Sequence, residues 1–182
     1  MKSLVFSELT KPLYHGSADE VSEIDLSKSV PQKDFGCGFY TTNDRIQAEK
    51  FAVLKAKRFG AEKGIVSVFK FLNEADLLIK KFDSSGAEWF DFVLRSRGYT
   101  ELTSYECDDE YDIIIGPVAN DAVGVVLNLF ISGAYGSVNE PEAKETAIRL
   151  LLTQKLYNQV FFSNERACSK LAFQESYDVC VE

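Results

Sequence analysis

The chain has 182 residues, 46% of them hydrophobic and 26% charged, with a net charge of −8. Those figures fit one compact domain over residues 1–182 and exclude a disordered chain. They also make duplex DNA or RNA a poor partner, because binding either draws on phosphate neutralisation by Lys and Arg.

No apolar run approaches the roughly 20 residues needed to span a bilayer. The opening Met1-Lys2-Ser3-Leu4-Val5-Phe6 is too short and too soon charged for a signal peptide, so a cytoplasmic location is expected. Secretion without a cleavable signal stays open. The four cysteines, Cys37, Cys107, Cys168 and Cys180, form no CxxC pair, and the chain holds a single His. Neither a disulfide scaffold nor a zinc site is expected. An acidic chain suits a small molecule or a basic protein partner. Lys50, Lys55, Lys57, Arg58 and Lys63 form one local basic stretch, best explained as a solvated helix face.

In chain order, Leu13-Tyr14-His15 reads as a short strand that turns at Gly16-Ser17. Residues 18–37 are polar and irregular and predict a loop. Gly38-Phe39-Tyr40-Thr41 predicts the next strand. Thr42 or Asn43 can cap a helix whose apolar positions Ala48, Phe51, Ala52, Ala56 and Phe59 make one face, with Gly60 ending it. Ile65 to Leu72 predicts a buried strand. Ser85-Gly86-Ala87-Glu88 has the capping-box pattern and opens a helix to about Arg97, closed by Gly98. Trp89, Phe90 and Phe92 on that helix read as core, and Arg97 as a surface charge. An acidic turn, Glu106 to Glu110, leads to a central strand at Asp112-Ile113-Ile114-Ile115, stopped by Gly116-Pro117. Helices follow at 121–131 and 140–152, with Pro141 tolerated in a first turn. Val160-Phe161-Phe162 is a strand, then a short helix runs to Phe173, and Tyr177 to Val181 is the last strand. The order is mixed α+β, without the regular alternation of a doubly wound nucleotide-binding fold.

The lone His stands in Tyr14-His15-Gly16-Ser17, beside a Gly that lets a ligand approach the backbone closely. Phe35-Gly36-Cys37-Gly38-Phe39-Tyr40 has two of the glycines of a dinucleotide-binding turn but no third and no following helix, so it is not that motif. Together these segments resemble something else. Tyr14-His15-Gly16-Ser17 looks like the first-strand His-Gly-Ser of poly-ADP-ribose-polymerase-like, diphtheria-toxin-class ADP-ribosyltransferases. Phe35-Gly36-x-Gly38-x-Tyr40 looks like their second-strand motif. Phe51, eleven residues later, stands where that family has a second aromatic. Leu156-Tyr157-Asn158-Gln159 resembles the strand that carries their Glu, with Gln159 in its place. The combination of Leu-Tyr-His-Gly-Ser, Asp-Phe-Gly-x-Gly-Phe-Tyr-Thr-Thr and Tyr-Asp-Ile-Ile-Ile-Gly-Pro-Val-Ala also resembles a bacterial family of small uncharacterised domains related to these transferases.

The resemblance implies a split mixed β-sheet core with flanking helices, and NAD as co-substrate without a metal. Tyr40 and Phe51 would sandwich the nicotinamide ring, since aromatic faces stack on flat rings. The Gly16 backbone would grip the nicotinamide amide, and His15 would hydrogen-bond a ribose hydroxyl. His15, Gly16, Ser17, Gly38, Tyr40 and Phe51 would bind the cofactor, with Gln159, His15 and Tyr40 as the catalytic set. An amide at position 159 still accepts a ribose hydroxyl but stabilises a developing cation less than a carboxylate does. Single-unit transfer to a protein is then expected rather than chain elongation, in the manner of a toxin or effector with a possible cognate antitoxin. An inactive NAD-binding module and an NAD glycohydrolase remain alternatives. Asp112 is the candidate accessory acid.

Overall fold

The computed structural model describes residues 6–31, 33–73, 76–103, 111–117, 121–152 and 156–181. Its strands are β1 (Leu13–Ser17), β2 (Phe39–Thr42), β3 (Lys63–Phe71), β4 (Ile79–Lys81), β5 (Ile113–Pro117), β6 (Asn158–Phe162) and β7 (Leu171–Cys180). The helices are α1 (Arg45–Phe59), α2 (Ala87–Ser96), α3 (Asp121–Ile131), α4 (Pro141–Leu152) and the one-turn α5 (Glu165–Cys168). All seven strands join one mixed sheet in the order β4-β5-β6-β2-β1-β3-β7. Among the described residues only β4 and β5 run parallel, and the other pairings are antiparallel. The α+β class expected from the sequence is the one observed.

Helix α1 seats on β1 and β3 through small residues. Ala48, Ala52 and Ala56 recur at helical spacing and are buried. Under them lie two glycines. A Cβ on Gly16 would stand 2.1 Å from the Ala48 carbonyl oxygen, and one on Gly64 would stand 2.4 Å from that of Ala52. The helix backbone therefore rests on the strand backbone with nothing larger than hydrogen between them. Gly16 admits α1 at its Cα, where the sequence suggested room for a ligand.

A second layer covers the other half of the same sheet face. Trp89, Phe90, Val93 and Leu94 of α2, Val123, Leu127 and Phe130 of α3, and Ala143, Ala147 and Leu151 of α4 pack with Ile114 and Phe161. On the reverse face, Leu13, Phe39, Phe69, Ile113, Ile115, Val160 and Phe162 form a separate core. Period-two alternation sends neighbours such as Phe39 and Tyr40 to opposite cores.

Several local expectations need correcting. Asp44, not Thr42 or Asn43, caps α1, accepting from Gln47 N–H at 2.9 Å. Asn43 instead donates to the carbonyls of Glu8 and Pro12, tying down the preceding segment. The capping box before α2 does not form. Helix geometry starts at Ala87, so Gly86 is the cap and Ser85 stands one place too early, while Glu88 pairs with Lys80. The helix predicted to run to Phe173 stops at Cys168, because residues 171–180 extend along β3 as β7. Strand β4 and a short 3-10 turn at Leu26–Lys28 were not foreseen. The acidic turn Glu106 to Glu110 lies outside the described residues.

The close seat of α1 generates a paired expectation. Gly16→Ala should lower stability in urea melts by about 1–3 kcal/mol, the usual cost of overpacking against an unyielding backbone. Gly124→Ala, in α3 with open space around it, should raise stability by about 0.5–1 kcal/mol through helix propensity. Equal effects of the two substitutions would refute the close-packing account.

Candidate functional site

The three central strands β6, β2 and β1 carry the residues singled out from distant parts of the sequence. Across β2 and β6, Tyr40 faces Phe161 and Thr42 faces Gln159. Across β1 and β2, Tyr14 faces Thr42. Paired residues share a face, so Tyr14, Gly16, Tyr40, Thr42 and Gln159 all belong to the helix-covered side.

The register of Tyr14 against Thr42 would continue to set Gly16 opposite Tyr40. Instead the ladder opens there. The Tyr40 carbonyl accepts from His15 Nδ1 at 2.7 Å, so an imidazole stands where a strand–strand hydrogen bond would be. Backbone groups two residues apart in a strand point the same way. Since the Tyr40 carbonyl is directed at β1, the same register directs the N–H and C=O of Gly16, set opposite Tyr40, toward β2 and into the opening.

His15 is partly buried and stacks on Phe39, with ring centroids 4.6 Å apart. Its ring thus lies on the Phe39 side of the sheet, away from the Tyr40 ring. Burial is the main influence lowering its pKa; the Tyr40 hydrogen bond opposes this, and Lys33 and Lys55 add to it. The imidazole is accordingly neutral at pH 7. Since Nδ1 donates to a carbonyl, Nε2 carries the lone pair and is a hydrogen-bond acceptor.

The Tyr40 hydroxyl donates to the Gly36 carbonyl at 2.7 Å and accepts from Phe35 N–H at 3.2 Å. Burial is the first cause of a phenol pKa raised well above the ordinary value, so the group stays protonated. Its ring packs against Phe161 at 4.7 Å, and the Lys33 ammonium sits 5.0 Å from its centroid. Phe51 on α1 is 47% exposed, with Lys55 5.2 Å above its ring. Among the described residues no ring contact joins Tyr40 to Phe51. Each aromatic holds a lysine instead, an arrangement that cation–π attraction favours. Burial first, then repulsion by Lys55, draws the Lys33 pKa down.

Gln159 is buried, and its Nε2 donates to Asp34 Oδ2 at 3.4 Å. Asp34 is buried too, and its Oδ1 accepts from Arg97 Nη2 at 2.7 Å. Arg97, read from sequence as a surface charge, thus closes an ion pair with a residue 63 positions earlier. Asp34, and its link to Gln159 and Arg97, escaped sequence reasoning. The one available signal was its place just before Phe35-Gly36.

Other expected members are engaged elsewhere. The Ser17 hydroxyl donates to the Asp19 carbonyl. The N–H and C=O of Gly38 are both bound to the Ser29 hydroxyl, at 2.8 and 3.0 Å, and a Cβ there would strike the Phe161 ring. Asp112 is fully buried at the far end of β5. It accepts from Leu78 N–H, Asn164 Nδ2 and the Arg166 guanidinium. Burial works to raise its pKa, but these hydrogen bonds, led by that from Arg166, hold it below the ordinary value. Gly116, not Asp112, faces Gln159, and four residues of strand put Asp112 about 13 Å away. It is a structural tie and no accessory acid. Burial pushes the Cys168 thiol up to about 12, which leaves it un-ionised and a poor nucleophile.

Among the described residues no group of three or more His, Cys, Asp or Glu is placed to hold a metal. No described helix is long and apolar enough to cross a membrane. A groove of about 700 Å³ lies away from the cluster, lined by residues such as Leu9, Pro12, Phe69, Phe71 and Gln174. Thr10, Lys11, Lys70, Asn73 and Glu175 also line it, and none of the residues singled out from the sequence does.

The family described as "Protein of unknown function (DUF3990)" matches residues 12–173, and the chain belongs to that family. No curated protein and no solved structure matches the chain.

The neutral state of His15 has a thermodynamic consequence. The unfolded imidazole takes a proton near its ordinary pKa of 6.5, while the folded one resists it. More protons bind to the unfolded state in that window, so stability is full above 6.5 and declines as pH falls below it. Denaturant melts at pH 7.5 and 5.5 should show this decline, and His15→Asn should flatten it. An unchanged slope in the variant would contradict the buried neutral state.

Proposed function

We propose that this member of the family is a mono-ADP-ribosyltransferase. In this proposal it cleaves NAD and passes one ADP-ribose unit to a protein. The observation that carries it is convergence. The segments around His15, Tyr40 and Gln159, whose order in the chain resembles that of poly-ADP-ribose-polymerase-like transferases, meet on three adjacent strands. The sheet opens between β1 and β2 where such enzymes would admit nicotinamide.

Each group then has a chemical task. Backbone N–H and C=O of Gly16 point into the opening, suited to the nicotinamide amide. Nε2 of His15 accepts a ribose hydroxyl. The exposed Phe51 ring offers a stacking face once Lys55 moves aside. Lys33 and Lys55 supply positive charge for the diphosphate, on a chain that is otherwise acidic. The glycosidic C–N bond breaks, nicotinamide leaves with the electron pair, and positive charge builds at the anomeric carbon. Gln159 accepts from the neighbouring ribose hydroxyl, and an acceptor nucleophile attacks and loses its proton. A net charge of −8 favours a protein acceptor over nucleic acid. The uncharged side chain at 159 favours the second reading, an NAD-binding module without turnover.

Incubation with NAD labelled on the adenylate, in the presence of a cell lysate, tests the proposal. Label on protein is the expected result. Free ADP-ribose alone would assign hydrolysis, and binding without turnover would assign the inactive module. Phe51→Ala should weaken NAD binding by about 1–3 kcal/mol, the usual worth of an aromatic stacked on a ring. Absence of NAD binding by the wild-type protein in equilibrium dialysis would overturn both readings.

A further inference from the structure

The buried Asp34–Arg97 pair beside Gln159 belongs to no step above. We propose that Asp34 is a positioning residue that fixes the side-chain amide of Gln159, turning its carbonyl oxygen away as the acceptor offered to a ligand. For catalysis this inference rests on the NAD reading, but the coupling itself does not.

An ionised carboxylate only accepts hydrogen bonds. With Oδ2 of Asp34 at 3.4 Å, the nitrogen of the Gln159 amide must face it. The two-fold ambiguity of an amide is thereby removed. Arg97 takes the other oxygen of Asp34 at 2.7 Å and neutralises its charge, so Asp34 orients without acting as a surrogate acid. Arg97 Nε is buried with no hydrogen-bond partner, so the guanidinium has a donor in reserve on the same cluster. An amide free to rotate would present its N–H₂ group half of the time. That would repel a developing cation and donate where acceptance is needed.

A consequence follows for the substitution that the family resemblance suggests. Gln159→Glu sets a second carboxylate against Oδ2 of Asp34, while the one guanidinium stays on Oδ1. One of them then resists ionisation, and its pKa rises. The folded value exceeds the unfolded one, so the variant is penalised increasingly as pH rises above about 4.3. The charge swap Asp34→Asn with Gln159→Glu restores a donor opposite an acceptor and removes that penalty.

Four proteins decide the matter: wild type, D34N, Q159E and the double variant. Carboxyl titrations are followed by NMR with ¹³C-labelled Asp and Glu, stability by urea melts from pH 4 to 8, and NAD cleavage by kcat and KM. A carboxyl titrating above the ordinary range in Q159E, and returning to it in the double variant, is expected. For D34N, kcat should fall roughly tenfold while KM moves less than about threefold. Q159E should show no gain in kcat, with recovery in the double variant. An ordinary titration in Q159E overturns the coupling, and this holds even if D34N fails to fold. Unchanged kcat in a folded, NAD-cleaving D34N overturns the positioning role. The raised titration without NAD binding by the wild type supports the coupling and overturns the NAD reading alone.

Discussion

Backbone-to-backbone contact between α1 and the strands beneath it is the constraint on which the rest depends. Ala48 and Ala52 leave no side chain between helix and sheet, and Gly16 and Gly64 leave none below. A helix this close cannot slide or tilt without backbone clash, because interiors packed at crystal density do not yield. Its seat fixes Phe51 and Lys55 beside the central strands. It also spends the Cα side of Gly16 on packing, which leaves only the edge of that glycine, its N–H and C=O, for anything else.

From that seat the opening between β1 and β2 follows. With β1 held from above by α1 and from the side by β3, the β1–β2 ladder proceeds no further than Tyr14 opposite Thr42. His15 reaches across and satisfies the Tyr40 carbonyl, which a buried opening would otherwise leave unpaired at a cost of about 1–3 kcal/mol. One side chain therefore holds the gap open and keeps its second nitrogen as an acceptor. The neighbouring strand β6 brings Gln159 to the helix-covered face, opposite the His15 ring, and the loop before β2 brings Asp34 to Gln159. A structural polar network and a candidate site are here the same set of atoms.

Much of this was legible in the sequence, and what escaped has physical causes. The Ala48, Ala52, Ala56 spacing announced a helix face, and apolar runs announced β3, β5 and β6. Strand β4 escaped because it has three residues at a sheet edge, too few for a periodic signal. The first part of strand β7 carries no clear strand signal because Leu171 to Ser176 alternates weakly, its exposed edge demanding little hydrophobicity. The helix caps shifted by a residue, which sequence patterns do not resolve. The sequence suggests room for a ligand at Gly16, since nothing in a linear pattern distinguishes close approach by a helix from close approach by a small molecule. Asp112 was misassigned for a related reason: a carboxylate at a strand start looks the same whether it faces a cleft or is bound by Arg166. The Asp34–Arg97–Gln159 cluster joins three segments far apart in the chain, and no local spacing encodes it.

Membership of the DUF3990 family carries no chemistry with it, so the weight falls on whether NAD enters the opening between β1 and β2. Titration of the ¹⁵N-labelled protein with NAD, followed by amide shifts, tests this most directly. The account predicts saturable changes concentrated at Gly16, Tyr40, Phe51 and Gln159. Absence of saturable change, or changes confined to the groove near Leu9 and Phe71, would contradict it.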